Sequence, residues 1–233
     1  MSKALVLFSG GIDSTICLAK AVKKYGKENV CDISIDYGQK NIKELECSKN
    51  IADYYGVQHV ILYLANILSS ATNCAMMRVS KLDIPKISYD EQVKKKKKED
   101  NVSTNVPFRN GLMLSTCAAY SIANGYSEIY YGIHLEEGVA RELYPDCDED
   151  FNMAMNLAIY IGSGKKVKII APLSGLLKKE VIKLGMDLKV PYELTWTCYE
   201  ETELSCGKCC ACKDRIKGFE ENGVEDPLEY EGD

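Results

Sequence analysis

Apolar and amphipathic segments alternate along the first part of the chain. Residues 4–8, 30–36 and 59–64 have the length and composition of buried parallel strands. Residues 12–25 and 40–56, which lie between them, carry apolar positions at helical spacing. This β-α-β-α-β order predicts a doubly wound, mostly parallel α/β sheet.

The same alternation returns after an irregular stretch. Residues 65–105 have no clear periodicity, and we expect an insertion there that lies over the sheet edge or the site as a lid. The later elements predicted are helices over 108–124, 149–162 and 176–188, and strands over 128–133 and 167–171.

Composition divides the chain into two parts. We expect residues 1–190 to form the α/β domain and residues 191–233 to form a small cysteine-rich module. A short helix is predicted over Asp214–Glu221 within that module. After Phe219 the chain is acidic and contains no lysine or arginine, which predicts a solvated, mobile tail.

Composition and charge limit the classes of function. With 46% hydrophobic and 27% charged residues, the chain is typical of soluble globular proteins. It has no apolar stretch long enough for a membrane span and no signal-peptide pattern, so we expect a cytoplasmic protein. The net charge of −5 argues against strong nucleic-acid binding, and the lysine run Lys94–Lys98 is expected to be a solvated loop.

Two adjacent glycines follow the first predicted strand, in the turn Ser9–Ser14. Glycines allow backbone N–H groups to approach an anion closely, and the N-terminus of the following helix favours a phosphate group. The turn is neither the Walker pattern nor the dinucleotide-binding pattern. From composition alone, a plain glycine turn remains the alternative to a phosphate-binding loop.

Four of the eleven cysteines form a regular cluster. Cys198, Cys206, Cys209 and Cys212 have the spacing C-x7-C-x2-C-x2-C, which suits one tetrahedral zinc ion. An iron–sulfur cluster is the alternative, and Cys210 is expected to point away. The other cysteines are predicted to be small buried hydrophobic residues: Cys17, Cys31, Cys47, Cys74, Cys117, Cys147 and Cys210.

The motifs together resemble a known family. The pattern S-G-G-x-D-S at Ser9–Ser14 resembles the pyrophosphate loop (PP-loop) of the N-type ATP pyrophosphatases, which split ATP between its α and β phosphates. Nearly end to end, the chain resembles the 7-cyano-7-deazaguanine synthase (QueC) family. The tracts that carry this likeness are DYGQ (36–39), NVPFRN (105–110), GIH (132–134), YPDC (144–147), TWTCY (195–199), CGKCCACKDR (206–215) and EDP (225–227).

The resemblance implies a fold and a reaction. The fold would be that of the adenine nucleotide alpha hydrolases, with a zinc ion that is structural. The reaction would convert 7-carboxy-7-deazaguanine and ammonia into 7-cyano-7-deazaguanine (preQ0), a precursor in queuosine-type biosynthesis. Two molecules of Mg²⁺-bound ATP would be converted to AMP, one to form an amide and one to form the nitrile. A homodimer is expected for an enzyme of this size.

The resemblance also implies roles for individual residues. Asp13, Arg109 and Lys178 would be catalytic. The residues expected to bind ATP are Phe8, Ser9, Gly10, Gly11, Ile12, Asp13, Ser14, Thr15, Tyr37 and Gln39. Those expected to bind the deazaguanine substrate are Arg109, Asn110, His134, Tyr144 and Asp146. His134 could equally be a polar group at the end of a strand.

Departures from the family pattern leave alternatives open. Lys40 and Asn41 replace the usual residues after DYGQ, and Asp148–Asp150 is unusually acidic. Because of these changes, the sequence leaves open which amine is the acceptor and whether the second ATP-dependent step occurs. One alternative is a QueC-like enzyme of an antiviral or phage system that joins the activated acid to a protein amine. More distant alternatives are a tRNA-thiolating PP-loop enzyme and a non-catalytic nucleotide-binding module.

Overall fold

A five-stranded parallel sheet forms the centre of the protein. The computed structural model describes residues 3–95, 102–134 and 143–232. The strands are β1 (Ala4–Leu7), β2 (Val30–Asp36), β3 (Gln58–Tyr63), β4 (Glu128–Tyr130) and β5 (Lys168–Ile170). Their order in the sheet is β3-β2-β1-β4-β5, and each observed pairing is parallel. The predicted doubly wound α/β fold is confirmed, and strand order reverses between β1 and β4.

The helices are α1 (Ile12–Tyr25), α2 (Lys43–Tyr55), α3 (Tyr89–Lys95), α4 (Arg109–Asn124), α5 (Glu149–Gly162), α6 (Lys178–Asp187) and α7 (Cys210–Glu220). All the helices except α3 lie close to predicted segments; α3 is a short helix within the stretch 65–105, where the sequence predicted no element. The bounds of α1 and α5 are those predicted. α7 begins at Cys210 rather than at Asp214, because the N–H of Lys213 donates to the carbonyl of Cys209 and closes a turn inside the cysteine cluster.

Two apolar layers enclose the sheet. On one face α4 and α5 pack against the strands through a cluster that includes Leu5, Ile33, Leu114, Ile129 and Ile159. On the other face α1, α2, α6 and α7 pack through a cluster that includes Val6, Ile16, Ile51, Val181 and Phe219. Because helices cover both faces, the loops at the strand ends are where polar groups can converge. Among the residues described, no helix is at once long and apolar enough to cross a bilayer.

β4 is shorter than predicted because the chain must pass close to α1. The strand ends at Tyr130, whereas the sequence predicted 128–133. A Cβ atom on Gly132 would lie 3.0 Å from the backbone carbon of Asp13 and from the N atom of Ser14. Only glycine therefore allows this loop to approach the start of α1 so closely.

Part of the irregular stretch 65–105 is fixed to the loop after β2. The N–H of Lys40 donates to the carbonyl of Met76 (2.7 Å), and the N–H of Arg78 donates to the carbonyl of Gly38 (2.8 Å). Met77 is buried beneath this contact. Residues 96–98 of the lysine run lie outside the described residues. That the segment acts as a lid remains a prediction.

The C-terminal tail, predicted to be solvated and mobile, is exposed or half-buried over residues 220–232 and contacts the rest of the protein at several points. Asp226 forms a paired contact with Arg215: Nε donates to Oδ2 (2.6 Å) and Nη2 donates to Oδ1 (2.8 Å). Both side chains are buried, with 1% and 5% exposure. The Tyr230 hydroxyl also donates to Asp226, and the N–H of Glu231 donates to the carbonyl of Ser205. The ion pair between Arg215 and Asp226, which composition does not reveal, therefore holds the tail against the rest of the cysteine module.

Candidate active site and metal centre

A cavity of about 290 Å³ lies at the carboxyl edge of the sheet, where strand order reverses. The loops after β1, β2 and β4 form part of its wall, and the first turns of α1, α4 and α6 form another part. Met76, Tyr89 and Thr104 from the irregular segment complete the wall together with residues of the cysteine module. The cavity therefore brings together residues from both halves of the chain.

Internal hydrogen bonds and close packing define the shape of the Ser9–Ser14 loop. Gly10 has a φ of +74°, and a Cβ atom there would lie 2.8 Å from the carbonyl oxygen of Glu44 and from the N atom of Ser48. The Ser14 hydroxyl donates to the carbonyl of Gly11 (3.1 Å) and accepts from the N–H of Ser9 (3.3 Å). The glycine thus lets the loop pack against α2, while the N-terminus of α1 faces the cavity.

Asp13 contacts the side chains of Lys178 and His134 beside this loop. Nζ of Lys178 donates to Oδ1 (2.9 Å) and Oδ2 (3.1 Å) of Asp13, and Nδ1 of His134 lies 3.4 Å from Oδ2. Burial acts to raise the pKa of the Asp13 carboxyl, but the charges of Lys178 and His134 outweigh it and hold that pKa well below its usual range. Asp13 is therefore a carboxylate at neutral pH.

Tyr37, Gln39 and Glu44 form a connected group after β2. The side-chain Oε1 of Gln39 accepts from the N–H of Tyr37 (2.9 Å), and its Nε2 donates to Oε1 of Glu44 (2.7 Å). Burial raises the pKa of the Glu44 carboxyl to about 7, although the Arg109 charge and the Gln39 hydrogen bond oppose it. Glu44 was not among the residues that the sequence predicted for the site.

Arg109 is the first residue of α4 and lies beside Tyr37. Its Nη1 donates to the Tyr37 hydroxyl (3.3 Å), and its guanidinium carbon lies 5.6 Å from the centre of the Tyr37 ring. Burial raises the pKa of the Tyr37 phenol to about 12, so Tyr37 is neutral. The preceding residue, Phe108, has a φ of +51°, a left-handed turn that begins the helix. The guanidinium of Arg109 is therefore a cation in the cavity wall, and its contact with Tyr37 fixes its position.

Asn110 and Asp146 contact each other directly. The backbone N–H of Asn110 donates to Oδ2 of Asp146 (2.9 Å), which places a carboxylate at the N-terminus of α4. The Asn110 side-chain amide donates to the carbonyl of Asp146 (3.0 Å) and to Sγ of Cys147 (3.2 Å). Both hydrogens of that amide are engaged within the protein. Cys147 is only half-buried and lines the cavity, and Cys47 is also half-buried, so the prediction of buried hydrophobic residues was wrong for these two cysteines.

Most of the residues predicted to act in the site line the cavity. Tyr144 does so, and its hydroxyl shares a hydrogen bond with the Thr104 hydroxyl (2.7 Å). Gly10 and Thr15 do not: Gly10 packs on α2, and the Thr15 hydroxyl donates to the carbonyl of Gly11 (2.7 Å). The cavity-lining members of the predicted set are Phe8, Ser9, Gly11, Ile12, Asp13, Ser14, Tyr37, Gln39, Arg109, Asn110, His134, Tyr144, Asp146 and Lys178.

The acidic run Asp148–Asp150 lies outside the cavity wall. The Asp148 carboxylate accepts from the N–H of Asp150 (2.9 Å) and caps α5. Glu149 and Asp150 occupy the first turn of that helix, where negative charge is favourable. Helix capping thus accounts for these acidic residues.

The four predicted cysteine ligands converge on one point. The sulfur atoms of Cys198, Cys206, Cys209 and Cys212 all lie within 4.8 Å of one another, and the four residues are buried. Sγ of Cys198 accepts hydrogen bonds from the N–H groups of Glu200 and Cys206 (both 3.4 Å). Tetrahedral zinc with bonds of about 2.3 Å requires sulfur atoms about 3.8 Å apart. The cluster could therefore hold a metal such as zinc. Cys210 is not part of it, as predicted.

The cysteine module also contacts the glycine loop. The N–H of Trp196 donates to the carbonyl of Gly10 (2.9 Å), and the Trp196 carbonyl lies 3.4 Å from where a Cβ atom of Gly11 would stand. Trp196 and Cys198 both line the cavity. The metal centre is therefore positioned to hold one wall of the cavity and the loop beneath it.

Comparison with known proteins identifies a family. The chain matches the family model described as "Queuosine biosynthesis protein QueC" over residues 3–223. A 7-cyano-7-deazaguanine synthase of Marinomonas sp. strain MWYL1 is 37% identical over 230 residues, which cover 98% of each chain. The enzyme of that name from Thermoplasma volcanium is 41% identical over 234 residues, which cover 98% of this chain and 90% of that protein.

Two solved structures show more distant likeness. An NH3-dependent NAD synthetase from Campylobacter jejuni has a TM-score of 0.46 and 17% identity over 82% of this chain and 66% of its own. The U34-tRNA thiolase NcsA from Methanococcus maripaludis, solved with its [4Fe-4S] cluster, has a TM-score of 0.47 and 18% identity over 95% of this chain and 66% of its own.

Proposed function

The chain belongs to the QueC family, and from that membership and the geometry of the cavity we propose that it makes 7-cyano-7-deazaguanine from 7-carboxy-7-deazaguanine. ATP and ammonia are the proposed co-substrates. Each turnover uses two ATP, which leave as AMP and pyrophosphate. The product is a precursor for queuosine-type modification, and a cytoplasmic location remains our prediction.

The observation that best supports this proposal is the glycine loop with Asp13 and Lys178 at its mouth. The loop presents the N-terminus of α1 to the cavity, and Lys178 supplies a cation 2.9 Å from Asp13. We propose that Ser9–Ser14 binds the β and γ phosphates of ATP. Asp13 would hold the accompanying Mg²⁺, while Lys178 would stabilise the charge on the departing pyrophosphate.

Adenylation solves the main chemical difficulty of the reaction. A carboxylate is a poor electrophile because its leaving group would be oxide. Transfer of AMP to a carboxylate oxygen creates a good leaving group, which ammonia displaces to give the amide. A second adenylation, now on the amide oxygen, allows AMP to leave with formation of the nitrile. Arg109 is the proposed ligand of the oxygen that bears charge in each step.

The deazaguanine ring is proposed to bind beside Asp146. Oδ2 of Asp146 accepts a hydrogen bond from the N–H of Asn110 in α4. No described residue donates a hydrogen bond to the other carboxylate oxygen, Oδ1. That oxygen can accept from the donor edge of the base. Tyr144 and His134 would line the same part of the cavity. Because the Asn110 amide is already engaged, we assign it the role of holding Asp146 in position.

The metal that we propose for the cysteine cluster is structural zinc. A closed shell of four thiolates leaves no position for a substrate. The close approach of the four sulfur atoms supports a single ion over an iron–sulfur cluster, whose ligands must enclose several iron atoms. The ion would hold Trp196 against the glycine loop.

We propose that the partner of this chain is a second copy of itself. The exposed faces of α4 and α5 are apolar: Ile122, Met153, Leu157 and Ile161 are between 51% and 61% exposed. Charged residues make up 27% of the chain, yet in these two helices the only ones are Arg109, Glu149 and Asp150, all in first turns. An uncharged apolar face suits a matching face rather than a charged partner.

Transfer of the activated acid to a protein amine is the second candidate function. The acidic residues Asp148–Asp150, which suggested it, lie instead at the N-terminus of α5, where Asp148 caps the helix. No other feature of the cavity favours it or tRNA thiolation, and the net charge of −5 opposes nucleic-acid binding.

The first experiment is mass spectrometry of a reaction that contains the protein, Mg²⁺-ATP, 7-carboxy-7-deazaguanine and ammonium. We expect the nitrile, with about two AMP released for each product, since each of the two activation steps consumes one ATP. Release of AMP without amide or nitrile would overturn ammonia as the acceptor. Absence of AMP would overturn the adenylation itself.

A further inference from the structure

Glu44 places a carboxylate in the wall of the cavity. Its Oε1 accepts a hydrogen bond from Nε2 of Gln39 (2.7 Å). Among the described residues none donates a hydrogen bond to Oε2, and this atom is not sealed within the protein. Oε2 is therefore accessible from the cavity, within the same enclosure as the glycine loop and Arg109.

Gln39 holds this carboxylate in a fixed orientation. Its Oε1 accepts from the N–H of Tyr37 (2.9 Å), and its Nε2 donates to the carbonyl of Ile35 (3.3 Å) as well as to Glu44. The amide is buried and cannot rotate without losing these contacts. Oε1 of Glu44 thus accepts a hydrogen bond from Gln39, and Oε2 is the oxygen available for proton transfer.

The other carboxylates of the cavity have cationic or dipolar partners that stabilise the charged form. Asp13 and Asp214 lie 2.9 Å and 3.9 Å from Nζ of Lys178. Asp146 accepts from an N–H of the first turn of α4, at the positive end of that helix. Glu44 accepts its hydrogen bond from the neutral amide of Gln39, and the charge of Arg109 acts on it without a direct hydrogen bond.

The surroundings of Glu44 adjust its proton affinity. Burial raises the pKa of its carboxyl to about 7, while Arg109 opposes that shift and Asp36 adds to it. Cys47 and Tyr37, which also act electrostatically with Glu44, are neutral because burial raises the pKa values of the thiol and the phenol. Lys43 is the neighbouring residue in α2, but its ammonium group lies over the Trp196 ring and not beside the Glu44 carboxylate. A base that changes protonation near neutral pH is effective in catalysis.

We propose that Glu44 is the catalytic base that deprotonates the ammonium nucleophile. This inference rests on the function proposed above, because it requires an adenylated acid in the cavity. Ammonium has no lone pair and cannot attack carbon. Oε2 takes one proton from it, and the resulting nitrogen lone pair forms a bond to the adenylated carbonyl carbon. The bond from that carbon to the AMP oxygen breaks, AMP leaves with the electron pair, and a second proton passes from nitrogen to solvent water to give the neutral amide.

The test compares Glu44→Gln with Glu46→Gln. Glutamine keeps the size of Glu44 and can accept from Gln39, but it cannot take a proton; Glu46 is an exposed glutamate on the same helix. Three rates are measured: pyrophosphate exchange into ATP that depends on the acid substrate, amide formation from ammonium, and hydroxamate formation from hydroxylamine. Hydroxylamine is mostly neutral at pH 7 and does not need the base.

We expect Glu44→Gln to lower the ammonium rate at pH 7 by about 100-fold or more. Pyrophosphate exchange and the hydroxylamine rate should change less than about threefold. The remaining ammonium rate should rise with pH as free ammonia accumulates, and Glu46→Gln should match the wild type.

Two results would overturn the proposal. One is an equal loss in all three rates, which would indicate that Glu44 binds ATP or the acid. The other is an unchanged ammonium rate at pH 7. Failure of the function itself is distinguishable, because the wild-type protein would then show no exchange with the acid substrate. Thermal unfolding of the variants verifies that each is folded.

Discussion

Nζ of Lys178 lies 2.9 Å and 3.1 Å from the two carboxylate oxygens of Asp13, although 165 residues separate them in the sequence. The contact joins the first turn of α1 to the first turn of α6 across the mouth of the cavity. Within this pair the two charges cancel. A triphosphate with its metal ion offers each partner an opposite charge, so binding of ATP can replace the pair without stranding either group.

The first prediction concerns the charge of Lys178. Lys178→Met should slow pyrophosphate exchange by about 100-fold or more, because a cation aimed at departing phosphate oxygens is lost. Lys179→Met is the matched control, since Lys179 is the next residue and is exposed; it should keep at least about half the rate. Equal losses in the two variants would contradict a specific role for Lys178.

The second prediction concerns pH and the stability contributed by Glu44. Its pKa rises from the ordinary 4.5 to about 7, so the folded state binds the proton more tightly than the unfolded state. The wild-type protein should therefore lose free energy of unfolding as pH rises from about 4 through 7. Glu44→Gln does not ionise and should be more stable than wild type by about 1–3 kcal/mol at pH 8.

Urea unfolding of both proteins at pH 4 and pH 8 measures that difference. At pH 4 the two should have nearly equal stability, since Glu44 is protonated in both states. A difference of the same size at both pH values would attribute the effect to packing rather than to ionisation.

The third prediction concerns the buried pair Arg215 and Asp226. Asp226→Asn should lower the free energy of unfolding by about 3–5 kcal/mol, because Arg215 would remain buried without a counter-charge. Glu221→Gln breaks the exposed pair with Lys217 (3.7 Å) and should cost less than about 0.5 kcal/mol. Denaturant unfolding at neutral pH compares them, and similar losses in the two variants would contradict the structural role of Asp226.

The fourth prediction concerns the metal centre. Cys209→Ser should remove about one bound zinc ion per chain and lower the unfolding midpoint by at least about 5 °C. Elemental analysis and calorimetry measure the two effects. Cys210→Ala changes the adjacent cysteine outside the cluster and should keep the metal. Iron and sulfide in anaerobically purified protein, in place of zinc, would contradict the proposed ion.

The fifth prediction concerns the apolar face of α4 and α5. Leu157→Glu should raise the dissociation constant of the dimer by about 100-fold or more, because a carboxylate would be buried without a partner. Ile67→Glu places the same charge at a residue of similar exposure (57% against 59%) outside these helices, and it should leave the dimer intact. Sedimentation equilibrium distinguishes the species, and a monomeric wild-type protein would contradict the proposal.

The short-range pattern of apolar and polar residues was sufficient to predict most helices and strands of the fold. α1, β2 and α5 begin and end at the residues predicted, because helix and strand periodicity depends on neighbours a few residues apart. The cysteine cluster was predictable for the same reason: three of its ligands lie within seven consecutive residues, Cys206–Cys212. The glycine loop could be placed at a strand end from the run of residues 4–14.

The sequence by itself therefore determined most strands and helices, the place of the glycine loop at a strand end and the grouping of the four cysteines, all of which follow from short-range spacing. Only the tertiary structure decided which polar and charged groups meet. Asp13 with Lys178, Gln39 with Glu44 and Arg215 with Asp226 depend on how the elements pack. The reason is physical: burial and neighbouring charges set the proton affinity of a carboxylate, and both depend on how the elements of the fold pack together.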